Sequence, residues 1–375
     1  MDNAQNIPEE KRIFFIDNLR ILLTVLVIMI HVAATYGAAV LWYYYERKSD
    51  ILSNLLLNLF VFITQFFALD FFFLISGYFV PAALGRKGTK SFLKERFLRL
   101  GIPLIIYLFI INPILVYILL VKFKIIDTSI KSWIAPGPLW YVGALLFFSL
   151  IYTLCRSFKD KSSYHQPQKE KNFPQQSQIL LYIVILALAT FFVRIWFPVG
   201  NVIWGISLAF FPSYFIWFIV GTIAYQNKWL EKFPNSSYKR WLILAIIIIL
   251  LLPLLIAVET ILTRQPSKFF GGWHWQSFLF SLSQAIISVA IILSLLTLFR
   301  KRFNRQEKLA RIITKNTYTV YIIHAPVIVF LSYYLRNIAL IPILKFFLVS
   351  LIGIPLCFLI SHYLIRKIPG LNKIL

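Results

Sequence analysis

Cysteine is nearly absent. Only Cys155 and Cys357 occur in 375 residues, both in or beside apolar stretches. Two such thiols build neither a disulfide framework nor a cysteine metal site. Charge is scarce too: Asp, Glu, Lys and Arg make up 14% of the chain, about half of what a soluble domain carries. The sequence has no Walker-type loop, no Gly-rich dinucleotide fingerprint and no Cys–His cluster. No internal repeat is evident, which counts against a transporter built from inverted halves. No polar stretch is long enough for a soluble domain. The longest, about 156–178, begins Arg-Ser-Phe-Lys-Asp-Lys and continues rich in Gln and Pro. It reads as a flexible cytoplasmic linker between two halves of a bundle.

What the chain has instead is apolar surface. Hydrophobic residues make up 59%, gathered in blocks that match the hydrocarbon thickness of a bilayer. Backbone groups inside that layer must pair within their own segment, so the blocks are helices. Membrane β-strands would be short and alternating, which these are not. Ten spans are expected, at about 13–36, 52–80, 101–121, 139–155, 179–196, 203–225, 241–260, 276–299, 317–335 and 341–365. The second is long enough to kink or to extend past the bilayer. The first follows Lys11 and Arg12 like a signal peptide, but its apolar stretch is too long for one. The expected fold is all-α: a multi-pass protein with one transmembrane bundle over residues 1–375 and no soluble head.

The net charge of +24 invites a nucleic-acid reading, and its distribution argues against it. With the N-terminus inside, the inner segments hold 27 Lys and Arg and the outer ones 9, with Arg194 at the end of span five counted among the outer. This threefold bias is the positive-inside rule. It puts both termini and the segments 81–100, 156–178 and 300–316 in the cytoplasm, and 264–275 outside. The basic loops then face anionic lipid or an anionic ligand.

Ionisable groups inside a bilayer are costly, so each is a functional candidate. Arg20 and His31 lie eleven positions apart, which leaves them only about 20° out of line on a helix and separated by about 16 Å of rise. Asp17 sits one turn below Arg20 and can neutralise it. Asp70 lies in the Phe-rich run Asp70-Phe-Phe-Phe-Leu-Ile-Ser76-Gly77-Tyr78 and calls for a histidine or arginine of another span. Ser76-Gly77 suits close helix packing. Arg96 and Arg99 share one face of a turn, as a phosphate clamp or as ordinary lipid anchoring. Tyr318, Tyr321 and His324 step by three down one face before Pro326, either a hydrogen-bond ladder or a catalytic strip. Pro136-Gly-Pro138-Leu-Trp140-Tyr141 makes a rigid turn followed by interfacial aromatics. Gly271-Gly-Trp273-His274-Trp275 could stack on a sugar or anchor at headgroups. His165 and His362 look incidental.

Taken in order, these motifs resemble the acyltransferase-3 family of membrane O-acyltransferases. The pieces are Asp17-x-x-Arg20 with His31, the Asp70 run to Gly77-Tyr78, Arg96-x-x-Arg99 with Pro103, Pro138-Leu-Trp140-Tyr141, and Tyr318-x-x-Tyr321-x-x-His324. The resemblance implies a multi-pass enzyme of the plasma (inner) membrane. Its donor would be acyl-CoA (acetyl-CoA, or succinyl-CoA) bound from the cytoplasm, with no tightly bound cofactor and no metal. Its acceptor would be a hydroxyl of a sugar, glycan or other envelope component, often met on the outer side. An envelope-assembly protein could be a partner. His31 and Arg20 would be essential, with Asp70 and His324 in the catalytic set. Arg96 and Arg99, with Tyr318 and Tyr321, would hold the CoA. The chemistry suits these residues, because transfer to an alcohol needs a base and an imidazole fits near neutral pH. A donor to the oxyanion could be Arg20, a tyrosine or backbone groups. Two other readings compete: a transporter or flippase of a glycan, lipid or small anion, and a non-catalytic subunit of an envelope complex.

Overall fold

A computed structural model of the chain describes residues 13–46, 50–125, 133–158, 170–203, 205–231, 238–371 and 374. His165 and the middle of the linker lie outside the described residues. Among the described residues the chain is mostly helical, with one hairpin of two-residue strands pairing Val202 with Ser207 and Ile203 with Ile206.

Among the described residues, nine helical stretches are long and apolar enough to cross a membrane. One is a 72-residue run, Ile51–Lys122. At 1.5 Å per residue it would measure about 108 Å, more than three bilayer cores. It therefore holds both the second and the third expected spans. Helix α2 (Ile51–Gln65) hands over at Phe66–Phe67 to α3 (Ala68–Arg96), and α3 is broken at Gly88, whose φ of 71° only glycine adopts freely. Beyond Arg96 come α4 (Ile102–Ile106) and α5 (Asn112–Tyr117), separated by π-helical turns at Phe97–Gly101, Tyr107–Ile111 and Ile118–Lys122. Pro103 and Pro113 explain the irregularity, since each lacks the N–H that an α-helix requires there.

The remaining helices are α6 (Trp140–Ser157), α7 (Gln176–Trp196), α8 (Phe211–Gln226), α9 (Tyr238–Thr263), the single turn α10 (Ser267–Phe270), α11 (Trp275–Arg302), α12 (Lys308–Tyr334) and α13 (Pro342–Tyr363). Two boundaries differ from expectation. Span six starts later, because the hairpin turns over Gly205 at φ 79° before α8 begins. Helix α12 starts nine residues early, at Lys308. His324 therefore lies about 24 Å along its helix, level with His31 rather than near one surface.

Helix α1 (Phe14–Thr35) packs on α12, which also packs on α13. Helix α3 lies along α8, and α11 lies against α7 and α9. The α3–α8 contact is backbone against backbone. A Cβ on Gly77 would come within 2.1 Å of the Phe218 carbonyl oxygen, and one on Gly221 within 2.2 Å of that of Leu74. Neither carbonyl can step aside as a side chain would. This is the close approach expected of Gly77. Gly221→Ala or Gly77→Ala should therefore force the helices apart. The thermal midpoint of detergent-solubilised protein should fall in either variant, by the roughly 1–3 kcal/mol of an overpacked core. An unchanged midpoint would contradict this packing.

Candidate functional site

Two histidines of the apolar spans meet. His31 comes from α1 and His324 from α12, and His31 Nδ1 lies 2.9 Å from His324 Nε2. His324 Nδ1 lies 2.6 Å from the Tyr321 carbonyl oxygen. A carbonyl can only accept, so the proton is on His324 Nδ1. Neither ring has a carboxylate among its described hydrogen bonds, and an uncompensated imidazolium is costly in a bilayer. In a neutral His324, Nε2 carries a lone pair and must accept from His31 Nδ1–H. His31 Nε2 is then left unprotonated. The backbone of α12 thus fixes the tautomer of a histidine on another helix. His324 is fully buried and His31 only half-buried, so the ring with the available lone pair is the more accessible one.

Trp42, in the segment after α1, stacks on His31 with ring centroids 4.3 Å apart and planes 12° from parallel. The Trp42–His324 separation is 6.5 Å and that of His31–His324 is 5.0 Å. These three lengths make nearly a right angle at His31, so His324 lies at its edge and Trp42 over its face.

One cavity of about 400 Å³ lies along the same face of α1. Its lining includes five cations, Arg20, Arg86, Lys87, Arg96 and Arg99, with one carboxylate, Glu95. Deeper, it is lined by Thr24, Ser76, Tyr141 and Tyr321. Tyr321 also supplies the carbonyl that receives His324, so the cavity ends one helical turn below the histidine pair.

Each lining group is held. Arg20 Nη1 is 3.7 Å from Asp17 and its guanidinium lies 4.8 Å from the centre of the Phe79 ring. Lys87 donates to Glu95, and Arg99 lies 3.6 Å from the same carboxylate. The guanidinium of Arg96 sits over Phe92. Ser76 and Tyr141 share a 2.8 Å hydroxyl–hydroxyl bond. Tyr318 donates to the Arg99 carbonyl at 2.5 Å. That carbonyl would be served in an α-helix by the N–H of residue 103, which is proline, so the tyrosine takes a vacated position. Tyr321 donates to the Pro138 carbonyl.

Of the residues expected from sequence, Arg20, Arg96, Arg99, Tyr318 and Tyr321 gather in the cavity wall, and His31 and His324 lie beyond it. Asp70 goes elsewhere. It is fully buried and accepts from Ser213 at 2.7 Å and Ser288 at 2.6 Å, where a histidine or arginine bond was expected. It ties α3 to α8 and α11. Arg194, counted with the outer loops, is fully buried in α7 and donates to Ser281 at 2.8 Å and to Gln284. Without it the charge bias is 27 to 8. Tyr141 lines the cavity instead of anchoring at an interface. Trp273 stays 72% exposed beside Phe191 and Phe192, and His362 touches Asn316. Sequence reasoning missed Trp42, Ser76, Tyr141 and the pair Arg86 and Lys87. The only signal for Trp42 was an aromatic run, Trp42-Tyr-Tyr-Tyr45, in a short segment between two spans.

A family model described as the acyltransferase domain, acyltransferase-3, matches residues 13–362. The chain belongs to the acyltransferase-3 family. It is therefore a multi-pass membrane acyltransferase. No curated protein and no solved structure matches it.

For this acyltransferase the hydrogen-bond order separates the two histidines by experiment. His324→Gln keeps an acceptor for His31 Nδ1–H and should retain transfer to within about tenfold. His324→Phe strands that buried donor, and the roughly 1–3 kcal/mol involved should cost about tenfold to a hundredfold. His31→Gln should lose roughly 10²–10⁴-fold, as for a missing general base. Initial rates of acyl transfer at matched protein levels decide it. The reverse order, with His324→Gln inactive and His31→Gln active, would assign the base to His324.

Proposed function

We propose that the protein is an O-acyltransferase of the plasma (inner) membrane. It moves a short acyl group, acetyl or succinyl, from acyl-CoA to a hydroxyl of a sugar, glycan or other envelope component. One observation carries this reading: a cavity walled by five cations at one end leads to within a turn of the His31–His324 pair at the other. CoA has the complementary shape, with phosphates at one end and a thioester at the tip of a flexible arm. Guanidiniums match phosphate geometry, and a cluster of cations concentrates the anion. Arg20 and His31 are about 16 Å apart along α1, so Arg20 joins Arg96 and Arg99 on the phosphates rather than meeting the oxyanion. Arg86 and Lys87, in the same cavity wall, belong to the same set. The positive-inside bias supports the cation end facing the cytoplasm.

In this mechanism the acyl arm passes Ser76 and Tyr141 and carries the thioester beyond Tyr321. His31 Nε2 takes the proton of the acceptor hydroxyl as its oxygen attacks the thioester carbonyl. The tetrahedral adduct collapses, the C–S bond breaks, and the proton is returned to the departing CoA thiolate. Proton donation through Nδ1 to His324 keeps the imidazole in the useful tautomer throughout. This is general-base catalysis on a donor that is already activated.

Sealed membrane vesicles of defined orientation test the donor side, because CoA thioesters do not cross bilayers. With radiolabelled acetyl-CoA in the medium, label should enter the glycan and lipid fraction in inside-out vesicles and not in right-side-out ones. CoA affinity of purified protein should fall about tenfold or more in Arg96→Ala/Arg99→Ala and also in Arg86→Ala/Lys87→Ala, the loss of one or two charge-assisted bonds. Transfer from right-side-out vesicles alone would reverse the orientation. Unchanged CoA binding in both double variants would remove the cations from the donor site.

A further inference from the structure

A base beside a thioester will activate water as readily as a sugar hydroxyl. Any enzyme of the kind proposed above must keep water from the histidine until an acceptor arrives. The structure shows what covers His31. Its Nδ1 edge is occupied by His324 and one face by Trp42, whose own surface is 1% exposed.

Trp42 is held firmly. It belongs to a strap, residues 36–46, whose groups are tied on several sides. The Trp42 backbone N–H donates to the Tyr45 hydroxyl at 2.7 Å, and that hydroxyl donates to the Val40 carbonyl at 2.9 Å. Tyr43, wholly buried, donates to Asn112 at 2.7 Å and lies 3.0 Å from the Tyr107 hydroxyl. Its hydroxyl sits on Gly137, where a Cβ would come within 2.2 Å of it and where φ is +48°. The next residue, Pro138, gives the carbonyl that receives Tyr321 from the cavity. At the far end of the strap Glu46 accepts from Lys345 at 2.5 Å, with that lysine side chain only 2% exposed, and Lys345 also donates to the Arg336 carbonyl at 3.0 Å. The Glu46 backbone N–H donates to the Thr35 carbonyl at 2.8 Å. A buried ion pair of this kind does not drift, because breaking it strands a charge.

We infer that Trp42 is a positioning and water-excluding residue for the transfer. It fixes the plane of the His31 ring, so that the Nε2 edge faces the acceptor hydroxyl, and it seals that face against water. The inference rests on the donor reading above. Loss of the indole should uncouple the enzyme: water adds to the thioester carbonyl, the C–S bond breaks, and free carboxylate and CoA thiol leave with no acceptor consumed. A role limited to folding would lower transfer and hydrolysis together.

The test uses inside-out vesicles and radiolabelled acetyl-CoA, counting label in free acetate and in the glycan and lipid fraction. Trp42→Leu should raise the ratio of acetate to transferred label several-fold, with transfer down about threefold to tenfold, the scale of a lost aromatic stack. Trp42→Phe keeps a flat ring and should stay near wild type. Glu46→Gln loosens the strap without touching either histidine, and should shift the ratio the same way by less. CoA binding should hold in all three. An unchanged acetate-to-transfer ratio in Trp42→Leu and Glu46→Gln would overturn the assignment while leaving the enzyme's donor chemistry standing. A wild-type protein that labels neither fraction would overturn the donor reading and this inference with it.

Discussion

A neutral imidazole has one proton to give and one lone pair to offer, and its neighbours decide which nitrogen does which. In this protein the decision is made by a backbone carbonyl. The Tyr321 oxygen can only accept, so it fixes His324, and His324 in turn fixes His31. The chain of donors runs from His31 of α1 to the Tyr321 carbonyl of α12, and it leaves a lone pair on His31 Nε2. In a bilayer such a relay is hard to scramble, because an added proton would bring an uncompensated charge. Much of the surrounding structure keeps those two helices in register. Tyr321 is pinned to the Pro136–Pro138 turn, and Asn316, lower on α12, accepts from Ser361 of α13 at 2.7 Å.

The polar groups away from this relay hold helices together. Asp70 brings three helices together through two serine hydroxyls, and Arg194 joins α7 to α11 through Ser281 and Gln284 while lying against Phe210 and Phe280. Asp70 meets two donors, and the two terminal nitrogens of Arg194 each meet an acceptor, which is what a bilayer interior favours. The intramembrane charges thus divide by place. Those in the cavity wall are partly accessible and can meet a ligand. Those in the α3–α7–α8–α11 region are buried and bonded to serine and glutamine side chains of neighbouring helices.

The helical class and nearly every span were legible in the sequence, because hydrophobic blocks and bilayer thickness are one-dimensional quantities. The stripe from Arg20 to His31 was legible for the same reason: helical periodicity places residues of one helix without reference to any other. Contacts between helices were not. Nothing in the sequence says that His31 meets His324 rather than Asp70, or that Asp70 meets two serines, since those depend on how separate helices pack against one another. The start of α12 was misplaced because its first turns carry Lys308, Arg311 and Lys315. A span boundary follows apolar content, whereas a helix runs on as long as its hydrogen bonds do. Trp42 escaped because an aromatic in a short connecting segment reads as an interfacial anchor, and only its stacking partner distinguishes it.

The account stands or falls on where the protons of the histidine pair sit. Nitrogen NMR of histidine-labelled protein in lipid, at mildly alkaline pH, reads this directly, with His31→Gln and His324→Gln assigning the signals. The relay predicts that both rings are neutral and that both carry their proton on Nδ1, the less common tautomer, with His31 Nε2 unprotonated. A His31 signal with its proton on Nε2, or an imidazolium at that position, would contradict it, since neither leaves the Nε2 lone pair that the proposed transfer uses.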